Sequence, residues 1–364
     1  MCFCLSAWLF MQKVLGQKGI LCREGGRGLK KGLALLAVLG LTAVLGACIV
    51  SGPKTTDTPV PQFVLTYAEN QPEDYPTTKG AYRFARLVYE KTEGQVEIQV
   101  NAGGVLGEEQ STIAQMQFGG VDFARVSLGS LAEFVPELNV LQLPYLYTDA
   151  DHMWRVLEGE IGDRFLDALD GFGLVGLSWY DAGARSFYSA KKPVQALEDV
   201  KGMRIRVQES ELMKAMVEAL GAQAVPMEYS AVYSALETGA IDAAENNWPS
   251  YESMRHYEVA PYYTVDEHAR VPEMQIVSQA TWEKLPAEYR EVIRECARES
   301  AIYERELWEM RTRQSEKRVR QAGCQVWELS AEEKARFREA VLPVYEKYCQ
   351  GDMDVVEEIL EKGR

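Results

Sequence analysis

The sequence predicts an α/β protein built as two similar lobes that face one another across a cleft. Three observations carry this expectation. Short apolar strands alternate with helical stretches from Gln62 to Tyr180, the order of βαβ units and a mainly parallel sheet. A helix–glycine–strand pattern appears at residues 114–124 and again at 234–244. A helical pattern of ~30 residues then begins at Glu288; at the rise of an α-helix it spans ~45 Å, more than one lobe needs.

Each element follows from local pattern. Gln62–Ala68 is a β-like run stopped by Glu69-Asn70-Gln71-Pro72. From Thr78 to Lys91 the apolar residues Ala81, Phe84, Ala85, Leu87 and Val88 recur at helical spacing. Val96–Val100 alternates as a half-buried strand. In the two echoed units Gly119 and Gly239 are expected to end their helices in left-handed conformation, each followed by a short strand. Ligands of open α/β sheets sit beyond the carboxyl ends of the strands. Facing lobes would therefore line the cleft with Arg125-Val126-Ser127 and Glu245-Asn246-Asn247. The run from Glu288 to Gln321 contains no Gly or Pro, and its apolar residues do not hold a heptad, which argues against a coiled coil.

With 364 residues, 47% hydrophobic and 26% charged, the chain suits two globular domains. Its formal charge is −15. Lys13, Lys18, Arg23, Arg27, Lys30 and Lys31 against Glu24 give the leader a positive excess, so the remainder stands at about −20. Such a chain repels nucleic acid and anionic membranes. Lys30-Lys31, an apolar run from Gly32 to Ala47 and then Cys48 read as an export signal too short for a comfortable membrane span. Leu45-Gly46-Ala47-Cys48 resembles the bacterial lipoprotein signal, in which the Cys is acylated and becomes the first mature residue. Residues Met1 to Leu29 suit such a signal poorly, which suggests a later start. A polar tether follows Cys48. Beyond it Cys296, Cys324 and Cys349 show no metal-ligand spacing; they allow one bridge, and inert buried thiols are the reading preferred.

No nucleophile elbow, H-E-x-x-H, P-loop or dinucleotide fingerprint occurs, and His152, His256 and His268 are far apart. Nothing assembles a nucleophile, a base and an oxyanion site, so neither enzyme chemistry nor a cofactor is expected. The informative residues are arginines. In Met203-Arg204-Ile205-Arg206-Val207 the apolar residues face one way and Arg204 and Arg206 the other. An arginine at a strand end suits a carboxylate, because its planar fork makes two parallel hydrogen bonds. Alternation alone does not choose between the two. Arg185 lies where the chain leaves the first lobe, and Asn246 and Asn247 follow the second echoed strand. Trp248, Tyr251, Tyr257, Tyr262 and Tyr263 crowd the same region; most are expected to pack, and one or two flat faces would suit a sugar ring.

Gly202-Met203-Arg204-Ile205-Arg206-Val207, Leu220–Met227 and Tyr233–Asp242, followed by Glu245-Asn246, resemble the substrate-binding subunit of tripartite ATP-independent periplasmic (TRAP) transporters. The resemblance extends from about Gln62 to Glu346. It implies a periplasmic-binding-protein-like fold of two α/β lobes with a long helix across both, and a small organic acid as ligand. The family's carboxylate-binding arginine maps onto Arg206, its second arginine onto Arg185 and its cleft asparagine onto Asn246. Glu245-Asn246-Asn247-Trp248-Pro249 resembles members that bind sugar acids, especially glucuronate and galacturonate. Asn247, where other members carry Pro, is a further substrate-binding candidate, and Glu69, Asn70, Arg125, Gln208 and His268 are then candidates for the sugar hydroxyls. Sialic acid, a dicarboxylate, a keto acid or an exported carbohydrate-active enzyme are the competing readings. The expected organisation is a leader (1–48), a tether (49–61), a first lobe (62–182, completed by about 271–310), a second lobe (183–270, completed by about 311–346) and a C-terminal tail (347–364). The partners implied are the small and large membrane subunits, with the protein outside the cell membrane and anchored through Cys48.

Overall fold

The computed structural model describes residues 60–349 and 351–363. The leader, Cys48 and the tether up to Pro59 lie outside the described residues. Strands run in the order β1 Phe63–Ala68, β2 Val96–Asn101, β3 Phe123–Ser127, β4 Leu174–Tyr180, β5 Ala184–Ser189, β6 Arg204–Val207, β7 Gln223–Pro226, β8 Ala243–Asn246, β9 Tyr262–Arg270, β10 Glu273–Ser278 and β11 Gln325–Glu328. They form two sheets, β2-β1-β3-β10-β4 and β11-β9-β5-β8-β6-β7, one to each lobe.

Parallel pairing joins β1 to β2 and β3, β6 to β7 and β8, and β9 to β11; antiparallel pairing arises at β5 and β10. The exception has a simple cause. A parallel neighbour needs a crossover of a dozen residues or more. β5 and β10 are instead reached through short links, Asp181–Gly183 out of the first sheet and Val271–Pro272 back into it. Each echoed unit ends its helix as expected, with Gly119 at φ +74° and Gly239 at φ +68°, where a side chain would be strained.

The helix Ala287–Gln321 is a third link between the lobes. Its buried residues, among them Ile293, Ala297, Glu304, Trp308, Ser315 and Val319, fall four or seven apart and so share one stripe. Its first half lies against the helix Pro76–Lys91 of the first lobe, with Arg83 paired to Glu299 at 2.6 Å. Its second half lies against the helix Trp248–Ser253 of the second lobe. Between them Arg311 holds Asp74 of one lobe at 3.0 Å and Glu252 of the other at 2.8 Å. Glu304 accepts the backbone N–H of Asp181 at 2.9 Å, which fixes the first link to this helix.

The described residues beyond 346 are packed. Tyr345 donates to the carbonyl of Pro144 at 2.7 Å, and His152 Nε2 lies 2.7 Å from the carbonyl of Ile359 in the helix Met353–Lys362. One buried apolar cluster contains Leu138 and Met153 of the first lobe, Ile205 and Met213 of the second, and Val344 and Ile359 of this segment. Cys296 and Cys349 are buried free thiols and Cys324 is half-buried. Burial pushes the thiols of Cys296 and Cys349 up to about 11, so both stay protonated and weakly reactive.

Candidate functional site

The carboxyl ends of β1 and β3 in the first lobe and β6 and β8 in the second converge on a cavity of about 580 Å³, including its mouth. Asn70, Arg125, Arg185, Arg206, Gln208, Asn246 and Asn247 all line it. The lobes touch across it: Tyr75 shares a 2.8 Å hydrogen bond with Ser250, Gln208 Nε2 donates to Ser127 at 3.0 Å, and Gln110 Nε2 donates to the carbonyl of Glu209 at 2.9 Å.

Three buried arginines face this space in three different electrostatic states. Arg125 is saturated: it bonds Glu69, Glu109 at 2.9 Å, Glu273 at 2.6 Å and the side chain of Asn70. Arg185 forks onto one carboxylate, with Nη2 2.9 Å from Glu245 Oε1 and Nε on Oε2; its Nη1 donates to no acceptor among the described residues. Arg206 has no carboxylate partner among the described residues. Its Nε and Nη2 donate to the carbonyl of Met227 at 3.0 and 2.7 Å, and its buried Nη1 donates to nothing. Burial, with Arg185 adding repulsion, holds Arg206 below the usual guanidinium range despite the pull of Glu245. A buried charge without a counter-charge is costly, so this group is poised for an anion.

Arg206 has company. Gln71 Oε1, Thr77 Oγ1, Gln208 Oε1 and the Tyr229 hydroxyl are also buried without a protein partner, and all four residues line the same cavity. Each such atom costs ~1–3 kcal/mol unless something bonds it. Donors and acceptors both occur in the set, which suits a ligand with one anionic group and several hydroxyls. Among the described residues no group of His, Cys, Asp and Glu could hold a metal ion.

Two of the expected residues stand behind the cavity. Glu69 is spent on Arg125. His268 lies with Nδ1 2.8 Å from Asp266 and Nε2 3.4 Å from Glu245. Burial alone would lower its pKa, but the two carboxylates outweigh burial and hold it at about 9. Burial would raise Glu245; Arg185 and His268 outweigh it and bring it to about 2. Glu69 thus holds Arg125 directly, whereas His268 reaches Arg185 only through Glu245. Asn247 caps the helix Trp248–Ser253 through its Oδ1, which accepts from Ser250 N at 2.8 Å, so only its amide nitrogen is free. Asn246 Oδ1 accepts from the backbone of Asn247 at 2.9 Å and leaves its Nδ2 free.

Arg204 grips Asp242 and donates to the carbonyl of Gly239 at 2.7 Å, closing the turn before β8. One expectation needs correction: the aromatic group does not offer faces to the cavity. Trp248 stacks on Tyr263 at 3.7 Å between centroids, and Tyr251 packs against Tyr188 and Tyr263. The aromatic side chains that line the cavity are Tyr75, Tyr229 and Trp308. Tyr229 was open to discovery, because it follows the carboxyl end of β7. Glu109 and Glu273 carried no such signal: Glu109 opens a helix, and Glu273 arrives on β10, paired with Ser127 and Tyr180.

Comparison with known proteins identifies the family. The family described as bacterial extracellular solute-binding protein, family 7, matches residues 67–352. A solute-binding protein of Chromohalobacter salexigens is 42% identical over 279 residues, 77% of this chain and 82% of that one. The C4-dicarboxylate-binding periplasmic protein of Rhodobacter capsulatus is 29% identical over 85% of this chain and 93% of its own. Among solved structures, a TRAP periplasmic solute-binding protein of a Bradyrhizobium species, in complex with galacturonate, superposes with a TM-score of 0.80 at 41% identity, covering 82% of this chain and 99% of that one. One from Pseudomonas putida with bound D-glucuronate gives 0.79 at 38% identity, covering 81% and 96%. The match over most of its length and the shared architecture make this chain a member of the DctP family of extracellular solute-binding proteins, the binding subunits of TRAP transporters.

Proposed function

We propose that this protein captures a hexuronate, such as glucuronate or galacturonate, outside the cytoplasmic membrane and delivers it to TRAP membrane subunits. Arg206 carries the reading: a buried guanidinium at a strand end, lining a cavity, with one nitrogen unbonded and no carboxylate paired to it among the described residues. Its fork suits the ligand's carboxylate. Arg185 Nη1 and Asn246 Nδ2 complete that end. Gln208, Asn70, Asn247 and Tyr229 take hydroxyls, while Glu69, Arg125 and His268 hold the walls. Relatives solved with galacturonate and D-glucuronate support a sugar acid over a C4-dicarboxylate.

Capture works by hinge closure. The lobes, read as 62–182 and 183–270 with their later completions, close about the links at 181–183 and 271–272, and the ligand replaces water at the unbonded polar atoms. The leader and Cys48 supply export and a lipid anchor on the outer face of the membrane; among the described residues no helix is long and apolar enough to cross it.

A thermal-shift screen tests the function. Hexuronates should raise the melting temperature and neutral hexoses should not; at a hundredfold excess over its dissociation constant a ligand adds about 2.7 kcal/mol. Glucose stabilising as well as glucuronate would contradict a carboxylate anchor.

A further inference from the structure

The charges on the cavity walls are unevenly balanced. Arg185 and Glu245 neutralise one another. Arg206 contributes one uncompensated positive charge from the second lobe. On the first lobe the single charge of Arg125 meets three carboxylates, Glu69, Glu109 and Glu273. Glu109 and Glu273 line the cavity, and so do Glu108, Glu209 and Glu228, with no lysine among the lining residues. Only one place on these walls welcomes an anion.

We propose that the Glu69–Arg125–Glu109–Glu273 cluster is a charge-selecting wall, which accepts ligand hydroxyls and rejects a second carboxylate. A hydroxyl can donate to Glu109 or Glu273. A carboxylate has no proton to donate and would be buried against surplus negative charge, and like charges juxtaposed in such a site are strongly unfavourable. Burial raises the Glu273 carboxyl, and Glu109 and Glu69 add to the rise although Arg125 pulls it down. Rejection of the wrong partner by charge is a common route to specificity. The site would thereby take uronates and exclude the diacids of the same carbon skeleton, a selectivity that a lone anchoring arginine does not give.

This proposal rests on the reading of Arg206 as the carboxylate anchor, and the experiment separates the two. Calorimetry should compare galacturonate with galactarate, its diacid counterpart, on the full chain and on Glu109→Gln and Glu273→Gln. The wild type should prefer galacturonate by about 100-fold, and either variant should narrow that ratio by about tenfold through tighter galactarate binding. Cooperative melting of the variants checks that they fold, as the removal of surplus charge leads one to expect. Galactarate binding the wild type within a few-fold of galacturonate, or an unchanged ratio in both folded variants, overturns the charge-selecting wall alone. If neither sugar acid binds the wild type, the hexuronate reading falls and this proposal falls with it.

Discussion

Arg206 Nη2 donates to the carbonyl of Met227 at 2.7 Å, and the same residue's Nη1, buried in the cavity wall, has no acceptor among the described residues. The Met227 carbonyl thus holds the guanidinium in position at the end of β6 while one of its faces waits for an acceptor. Neutral recognition would need no such group.

Arg204, two residues away on the same strand face, has the opposite condition. Its fork is filled by Asp242 and its Nη2 also bonds the carbonyl of Gly239. Arg204→Ala should lower the melting temperature slightly and leave sugar-acid affinity near wild type. Equal losses of affinity at Arg204 and Arg206, measured by calorimetry, would mean that the ligand is placed against the wrong residue of β6 in this account.

The contrast shows what was legible. Alternation in Arg204–Val207 put both arginines on one face, and the two helix–glycine–strand echoes located both strand ends at the cleft. The charge state of each arginine was not legible, because Glu245 lies 60 residues from Arg185 and Glu273 lies 148 from Arg125. Strand order brings such pairs together: β8 beside β5, and β10 beside β3. For the same reason the aromatic run from Trp248 to Tyr263 seemed to offer flat faces, although its members stack on one another once β9 and the short helix meet.

The buried His268 makes stability depend on pH. Its folded pKa, about 9, exceeds the unfolded value of about 6.5, so its contribution is complete below about 6.5 and disappears as pH rises through 9. Glu245 has the opposite sign: its folded pKa of about 2 means that stability is present above about 4.5 and lost as pH falls through 2. The difference in melting temperature between wild type and His268→Asn should therefore shrink between pH 6.5 and 9. A difference independent of pH over that range would show that His268 is not held as a cation.

Gly183 lies in the link between β4 and β5 at φ +59°, and a Cβ there would stand 2.8 Å from Nε1 of Trp308. Both the left-handed backbone and the indole oppose a side chain. Gly183→Ala should cost about 1–2 kcal/mol or more in chemical denaturation. Denaturation unchanged from wild type would show that this link is not fixed against the long helix.

Cys48 makes a separate prediction about location. Wild-type protein should fractionate with membranes, and Cys48→Ser should release it or leave it unprocessed. Recovery of the wild type wholly in the soluble periplasmic fraction would remove the lipid anchor and leave the binding function intact.

The most direct test is titration of galacturonate and glucuronate into Arg206→Ala and Arg206→Lys by calorimetry. Removing one partner of a buried charge pair costs about 3–5 kcal/mol, so Arg206→Ala should lose two to four decades of affinity while keeping its fold. Arg206→Lys should also fail substantially, since a point ammonium cannot reproduce the two-pronged geometry. Near-wild-type binding of a hexuronate by Arg206→Ala would contradict the anchor on which the whole account depends.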